Sequence, residues 1–294
     1  MPPSGTYLLT NVGFSSEEPL LVFQTASGKY YDVQPLTHRL SFQFDTSQRY
    51  CIGWRDITTS IQSPCPDMNI VAAKYEQCSA CQQRTGFNPA FYHATSVSPQ
   101  QELRNQEPHI LYLAHFGADV IKVGISHAKR GYGRLLEQGA RRALILDTFP
   151  TAHIARQYEA KIAQMASIIE TVAIRKKITL LTQQAYDPAA AEQLLLDTRR
   201  RIETTLSVDF TPNQVLSFDN IYFPTGLPDF TQAHDTTSEA RISGDTIGML
   251  GSLLCCMQQG TPLLLALKKY VGYHVDYRDT VTPIQLPARQ TSLF

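Results

Sequence analysis

Residues 110–125 read Ile-Leu-Tyr-Leu-Ala-His-Phe-Gly-Ala-Asp-Val-Ile-Lys-Val-Gly-Ile. Two apolar runs flank the turn signal Gly117-Ala118-Asp119, which predicts a β-hairpin. Folding it about Ala118 sets Tyr112 opposite Gly124 and Ala114 opposite Lys122. Side chains alternate along a strand, so Leu111, Leu113, Ile121, Val123 and Ile125 share one face. Tyr112, Ala114, Lys122 and Gly124 share the other. The first face is aliphatic and belongs against a core. The second carries a phenol, an amine and a bare backbone, and it is where function is expected.

Working outward, 134–138 (Arg-Leu-Leu-Glu-Gln) predicts a helix and 143–149 a strand. Pro150-Thr151 opens a long helix with Thr151 as N-cap, along which Ile154, Tyr158, Ile162, Met165 and Ile169 recur at helical spacing. Glu159 stands one residue past that stripe, with Ala155 and Ala163 four residues to either side. Small neighbours leave its carboxylate room to reach whatever docks against the helix.

Tyr112, then Lys122-Val-Gly124, then an arginine in the next helix, then Glu159: in this order residues 109–171 resemble the GIY-YIG nuclease domain. Residues 110–112 stand for its first signature and Lys122-Val-Gly124 for its second. The family's usual second tyrosine is replaced by Lys122, as in a phage and fungal subset that carries Lys-Ile-Gly. Arg130 suits the family spacing and Arg134 the helix, so both remain candidates.

The resemblance implies a small sheet flanked by helices, and metal-dependent cleavage of phosphodiester bonds in nucleic acid, with DNA the expected partner. Glu159 would hold Mg²⁺ or Mn²⁺, and Tyr112 would orient or deprotonate the attacking water. Lys122 would favour the phenolate, Arg130 or Arg134 would stabilise the transition state, and Gly124 would let the phosphodiester approach the backbone. A second resemblance covers more of the chain. Cys51-Ile-Gly53, Cys65-Pro66, Cys78-x-x-Cys81, the Lys-Val-Gly-Ile stretch, Leu-Leu-Glu-Gln-Gly-Ala140 and a late Gly-rich region occur in order, as in a bacterial family known chiefly as a domain of unknown function.

A chain of 294 residues, 43% of them hydrophobic, is long enough for a full core and a second one. The formal net charge is zero, which argues against wholesale coating of nucleic acid. Residues 109–161 nevertheless hold eight Lys and Arg against four Asp and Glu, a local excess of four that favours a phosphate backbone or simply marks a solvated helix surface. The start lacks a basic-plus-apolar leader, and no apolar run approaches the roughly 18 residues of a membrane span. A soluble cytoplasmic protein is expected, with no membrane partner.

Reduced thiols then make cysteine pairs read as metal ligands before disulfides. Cys51, Cys65, Cys78 and Cys81 fall close together, and Cys78-Ser-Ala-Cys81 has the gap that turns two sulfurs toward one ion. Four thiolates predict a closed structural Zn²⁺ site; a redox Cys-x-x-Cys and unligated buried thiols are the alternatives. Cys255-Cys256 reads as core.

The expected fold class is α+β: the small central sheet with its helices, N- and C-terminal antiparallel β segments, and a four-cysteine zinc knuckle. The expected units are an N-terminal β segment at 1–50, the zinc-binding segment at 51–95, and the nuclease-like unit at 109–171. A helical extension follows at 172–206, then a C-terminal β region at 207–294 that pairs with the N-terminal segment. A polar linker spans 96–107. Lys and Arg at 175–177 and 199–201 would extend a nucleic-acid track or occupy exposed helix faces, and His115 and His127 read as surface residues. Two functions compete with the nuclease: a catalytically inactive GIY-YIG-like domain that only binds nucleic acid, and a middle unit that binds a nucleotide or protein on a β scaffold.

Overall fold

Apolar alternation near the start makes strands, and a two-residue turn at Ser16 and Glu17, both at positive φ, joins the first pair. Gly5–Ser15 and Glu18–Gln24 belong to a nine-stranded sheet, whose spatial order continues across the molecule. It runs His234–Asp235, Thr261–Ala266, Leu253–Gln258, Arg241–Leu250, Arg39–Asp45, His274–Arg278, Gly5–Ser15, Glu18–Gln24, Tyr30–Val33. Arg39–Asp45 is clasped between Arg241–Leu250 and His274–Arg278, so strands from early and late in the sequence interleave. This architecture comes from a computed structural model that describes residues 2–36, 38–57, 59, 61–87, 97–183 and 185–286. Parts of the expected segments, at 88–96 and 287–294, lie outside the described residues.

The middle of the chain forms a five-stranded sheet in the order Ile168–Ile169, Ile121–His127, His109–His115, Arg142–Phe149, Leu216–Ser217. The hairpin register is the one expected from a turn at Ala118, with Tyr112 facing Gly124 and Ala114 facing Lys122. With sheets and helices side by side, the fold is α+β.

Both faces of this sheet are covered. Leu111, Leu113, Val123 and Leu144 pack with Ile162 of the helix Ala152–Ala163 and with Leu195 and Ile202 of the helix Pro188–Leu206. On the other face Ile110, Tyr112 and Ala114 pack with Leu135 and Leu136 of the helix Gly133–Gln138 and with Leu180 of the helix Ile174–Gln183. Leu250, Leu253, Cys255 and Leu264 of the large sheet close the same cluster. The face on which function is expected is therefore largely core. A central strand buried on both sides reads as a continuous apolar run, as residues 110–114 do.

The two sheets meet at a pair of glycines. Gly139, the left-handed C-cap of the helix Gly133–Gln138, packs against Gly251 in the turn between two large-sheet strands. A Cβ on Gly251 would lie 2.8 Å from the Gly139 nitrogen and 3.0 Å from the Glu137 carbonyl oxygen. Beside them the buried Tyr222 hydroxyl donates to the Ala140 carbonyl at 2.8 Å, next to the carbonyls that end the helix.

Several element boundaries differ from expectation. The helix opened by Thr151, whose hydroxyl accepts from the Ile154 amide at 3.4 Å, stops at Ala163. Ser167 adopts positive φ, and Ile168–Ile169 leaves the helix to pair in parallel with Ile121 and Lys122. The linker contains a helix, Pro99–Asn105, capped by Ser98 and started by a proline at its first position. The final strand, which the sequence predicts over 271–277, begins at His274, because Leu267–Tyr270 forms a 3₁₀ turn and Gly272, at φ +88°, packs against the Tyr50 carbonyl. No helix among the described residues is long and apolar enough to cross a membrane.

Candidate functional site

Two places bring chemistry-bearing side chains together. The first is the cysteine segment, where two short hairpins carry the thiols: Arg49–Tyr50 with Ile70–Val71, and Trp54–Arg55 with Gln62–Ser63. Gly53, at φ +81°, shapes the turn after Cys51. Its backbone is so close to Ser63 that a Cβ would meet the Ser63 carbonyl oxygen at 1.9 Å. Cys78 caps the helix Ser79–Thr85 and Cys81 lies in its first turn.

The Sγ atoms of Cys51, Cys65, Cys78 and Cys81 all lie within 4.8 Å of one another, a set that can hold a metal ion. All four thiols are free, and Cys51, Cys65 and Cys81 are buried. The Cys78 amide donates to Cys51 Sγ at 3.2 Å, as backbone amides do around thiolates. The Cys81 amide likewise lowers Cys78 to about 7, while burial pushes Cys51 and Cys81 up. Among the described residues no other group of three or more His, Cys, Asp or Glu side chains converges in this way.

The second place surrounds Tyr112, which is 0% exposed. Its ring lies over Gly124: a Cβ there would meet Oη at 2.5 Å and Cζ at 2.6 Å. The phenol fills the space that a side chain on Gly124 would need. The Tyr112 hydroxyl meets the Gln138 side-chain amide at 3.2 Å. With that amide turned to satisfy its neighbours, its oxygen accepts from Arg134 Nε at 2.9 Å and its nitrogen donates to Tyr112 Oη. Burial raises the Tyr112 pKa, opposed chiefly by the Arg134 charge.

Lys122 lies on the neighbouring strand, in register with Ala114. Its ammonium donates to the Val123 carbonyl at 2.9 Å and stands 6.0 Å from the Tyr112 ring centre. Burial lowers it to about 8, with Glu159 opposing and Arg134 reinforcing the shift. Glu159 projects from the helix on the aliphatic side, yet its charge acts on both Lys122 and Tyr112. Glu159 is 5% exposed, and its Oε2 is held by Arg156 one turn before it. Burial raises its pKa, against the pull of Arg156 and then Lys122.

The two candidate arginines separate. Both pair with Glu137, Arg130 at 2.6 Å and Arg134 at 3.6 Å, while Arg134 is the one whose charge acts on Tyr112, Lys122 and Lys177 together. Lys177 is the residue that sequence reasoning passed over. Its Nζ donates to the Gln138 backbone carbonyl at 2.6 Å and lies 5.3 Å from the Phe116 ring centre. The signal was present: Ile174, Lys177, Ile178 and Leu181 follow the i, i+3, i+4, i+7 pattern, so this lysine occupies the inward stripe while Arg175 and Lys176 are exposed.

The histidines expected at the surface are buried. His115 Nε2 meets the Ala118 carbonyl oxygen at 2.6 Å, and His127 Nε2 meets Glu107 at 2.5 Å. His115 ends a strand covered on both faces, and His127 packs edge-on against His109. Cys255 and Cys256 are fully buried core residues.

No curated protein and no solved structure matches the chain. One family profile does, over residues 39–275, a span that takes in the cysteine cluster, the small sheet and most of the large one. The chain belongs to the family described as "Protein of unknown function (DUF2797)".

Proposed function

We propose that this protein is a metal-dependent phosphodiesterase acting on nucleic acid, with a GIY-YIG-like middle unit and a structural zinc ion on its four cysteines. The observation that carries the reading is the electrostatic reach of a buried carboxylate, Glu159 on the aliphatic side of the small sheet, to Lys122 and Tyr112, on which the Arg134 charge also acts from the other side. These residue types, in this order, are those the resemblance assigns to cleavage. Cys51, Cys65, Cys78 and Cys81 fit zinc because a four-thiolate set with no open position is a structural donor set.

Glu159 would hold Mg²⁺ or Mn²⁺ as its single carboxylate ligand, the remaining positions going to water and substrate. Such an ion, when bound, supplies positive charge to a phosphate oxygen and to the departing 3′ oxygen. Arg156 must release Glu159 for this to happen. Lys122, lowered to about 8, suits the proton transfer: its neutral amine takes the proton of the attacking water at Nζ. The water oxygen bonds to phosphorus, the P–O3′ bond breaks, and the 3′ oxygen leaves with the electron pair and is protonated by solvent. Arg134 stabilises the added negative charge on phosphorus. Tyr112, raised by burial, stays a phenol and holds Gln138, which in turn holds Arg134.

The test is cleavage of radiolabelled branched, single-stranded and duplex DNA with Mg²⁺ or Mn²⁺, wild type beside Glu159→Gln and Lys122→Met. Metal-dependent cutting lost in both variants supports the reading; cutting that survives Glu159→Gln moves the activity elsewhere. A second reading, binding without hydrolysis, is favoured by the grip of Arg156 on Glu159 and by the complete burial of Tyr112. It expects salt-dependent DNA or RNA binding and no cutting on any substrate.

A further inference from the structure

Lys177 occupies an inward position on an amphipathic helix, where leucine or isoleucine would ordinarily sit. Such a position is expensive for a cation unless something offsets the lost water. The only partner of its ammonium among the described residues is the Gln138 carbonyl, with the Phe116 ring alongside. No carboxylate lies within ion-pair distance of Lys177 or of Lys122 among the described residues. An ammonium has three donors, so two on Lys177 remain beyond the Gln138 bond. Arg134 comes to the same place from the neighbouring helix, through the Gln138 side chain. Of the nearby carboxylates, Glu159 is engaged by Arg156, and Glu137 is shared by Arg130 and Arg134.

We infer that Lys177 is a phosphate-binding residue, which together with Arg134 seats a phosphate group of a nucleic-acid backbone beside Tyr112. The identity of the ligand rests on the proposed function; the cationic seat itself does not require hydrolysis. A negative ligand would give the two further donors of Lys177 and the Arg134 guanidinium, which Glu137 meets at 3.6 Å, a shared acceptor. Burial and the neighbouring Arg134 and Lys122 charges lower Lys177 to about 8. The groups acting on Lys122 in turn are Glu159, Arg134, Glu170 and Arg156. The seat therefore holds its full charge only below about pH 8.

Fluorescence anisotropy of a short fluorescein-labelled single-stranded DNA, with zinc-loaded full-length protein and no added Mg²⁺ or Mn²⁺, tests this. Lys177→Ala is expected to weaken binding about tenfold, as loss of a charged hydrogen bond does, with Lys177→Arg restoring most of it. Lys176→Ala removes the same charge from the exposed side of the same helix and is expected to change affinity less than about twofold. Wild-type affinity should fall as pH rises through about 8, and the Lys177→Arg protein should lose less of it. Equal effects of Lys177→Ala and Lys176→Ala, or failure of Lys177→Arg to restore binding in a protein that melts like wild type, overturn the inference. Wild-type protein that cleaves DNA with metal yet shows no such binding overturns the seat alone; absence of both binding and cleavage overturns the seat and the nuclease together.

Discussion

The ring of Tyr112 fills the space that a side chain on Gly124 would need, so the two residues of the central hairpin fit only as a large–none pair. Gly124→Ala is expected to destabilise by about 1–3 kcal/mol, the usual cost of overpacking a closed core. In a Tyr112→Ala background the same change should cost markedly less. Urea unfolding of the four proteins of this double-mutant cycle measures the coupling, and additive effects would mean that the ring does not lie where it is described.

Tyr112→Phe keeps the ring and removes only its hydroxyl. The expected loss is about 1 kcal/mol, the net worth of one hydrogen bond. A larger effect on nucleic-acid binding than on stability would show that the phenol acts by holding Gln138 and Arg134.

Metal removal should act locally. A chelator, or Cys78→Ser, is expected to raise hydrogen exchange across 49–85 while Leu253–Gln258 in the large sheet stays protected. Zinc analysis of the purified protein, read beside Cys51→Ser and Cys81→Ser, checks the ligand set. Zinc content unchanged by all three substitutions would exclude these thiols as ligands.

Lys122 and Lys177 each have a folded pKa of about 8, below the 10.5 of the free side chain. Between those values the unfolded chain binds more protons than the folded one, so stability rises with pH across about 8 to 10.5. Below that window the cost of burying the charge is present in full. Lys122→Met should therefore be more stable than wild type at neutral pH, with the advantage shrinking as pH rises through the window. Urea midpoints at several pH values report it, and a pH-independent difference would refute the burial of that charge.

Three buried histidines give the opposite edge of the pH range. Burial is the largest cause that lowers His109, His115 and His127 below 6.5, so the unfolded chain takes up their protons first on acidification. Stability should fall as pH drops through 6.5, and His115→Gln should blunt the fall. A flat profile in wild type would contradict the burial of these rings.

What could be read beforehand was whatever a few neighbouring residues decide. The Gly117-Ala118-Asp119 turn fixed the Tyr112–Gly124 register, and the gap between Cys78 and Cys81 announced the thiol cluster. What covers Tyr112 could not be read there, because Leu250, Leu253, Cys255 and Leu264 come from a sheet far along the chain. Lys177 was obscured differently: two exposed cations beside it made a charged run of what is one inward lysine and two solvated neighbours. His115 and His127 were placed at the surface by residue type, although each ends a strand whose core continues past it.

The interleaving of early and late strands has a consequence for synthesis. Gly5–Ser15 leaves the ribosome with only Glu18–Gln24 to pair with; its other edge waits for His274–Arg278, and Arg39–Asp45 waits for two partners that come far later in the sequence. Closing so long a loop is slow, and unpaired edges that persist meanwhile are sticky. The thiol segment and the small central sheet draw most of their pairings from nearby residues and can assemble while that edge is still open. This topology favours an early middle and a late-closing large sheet, the two being joined where Gly139 packs against Gly251.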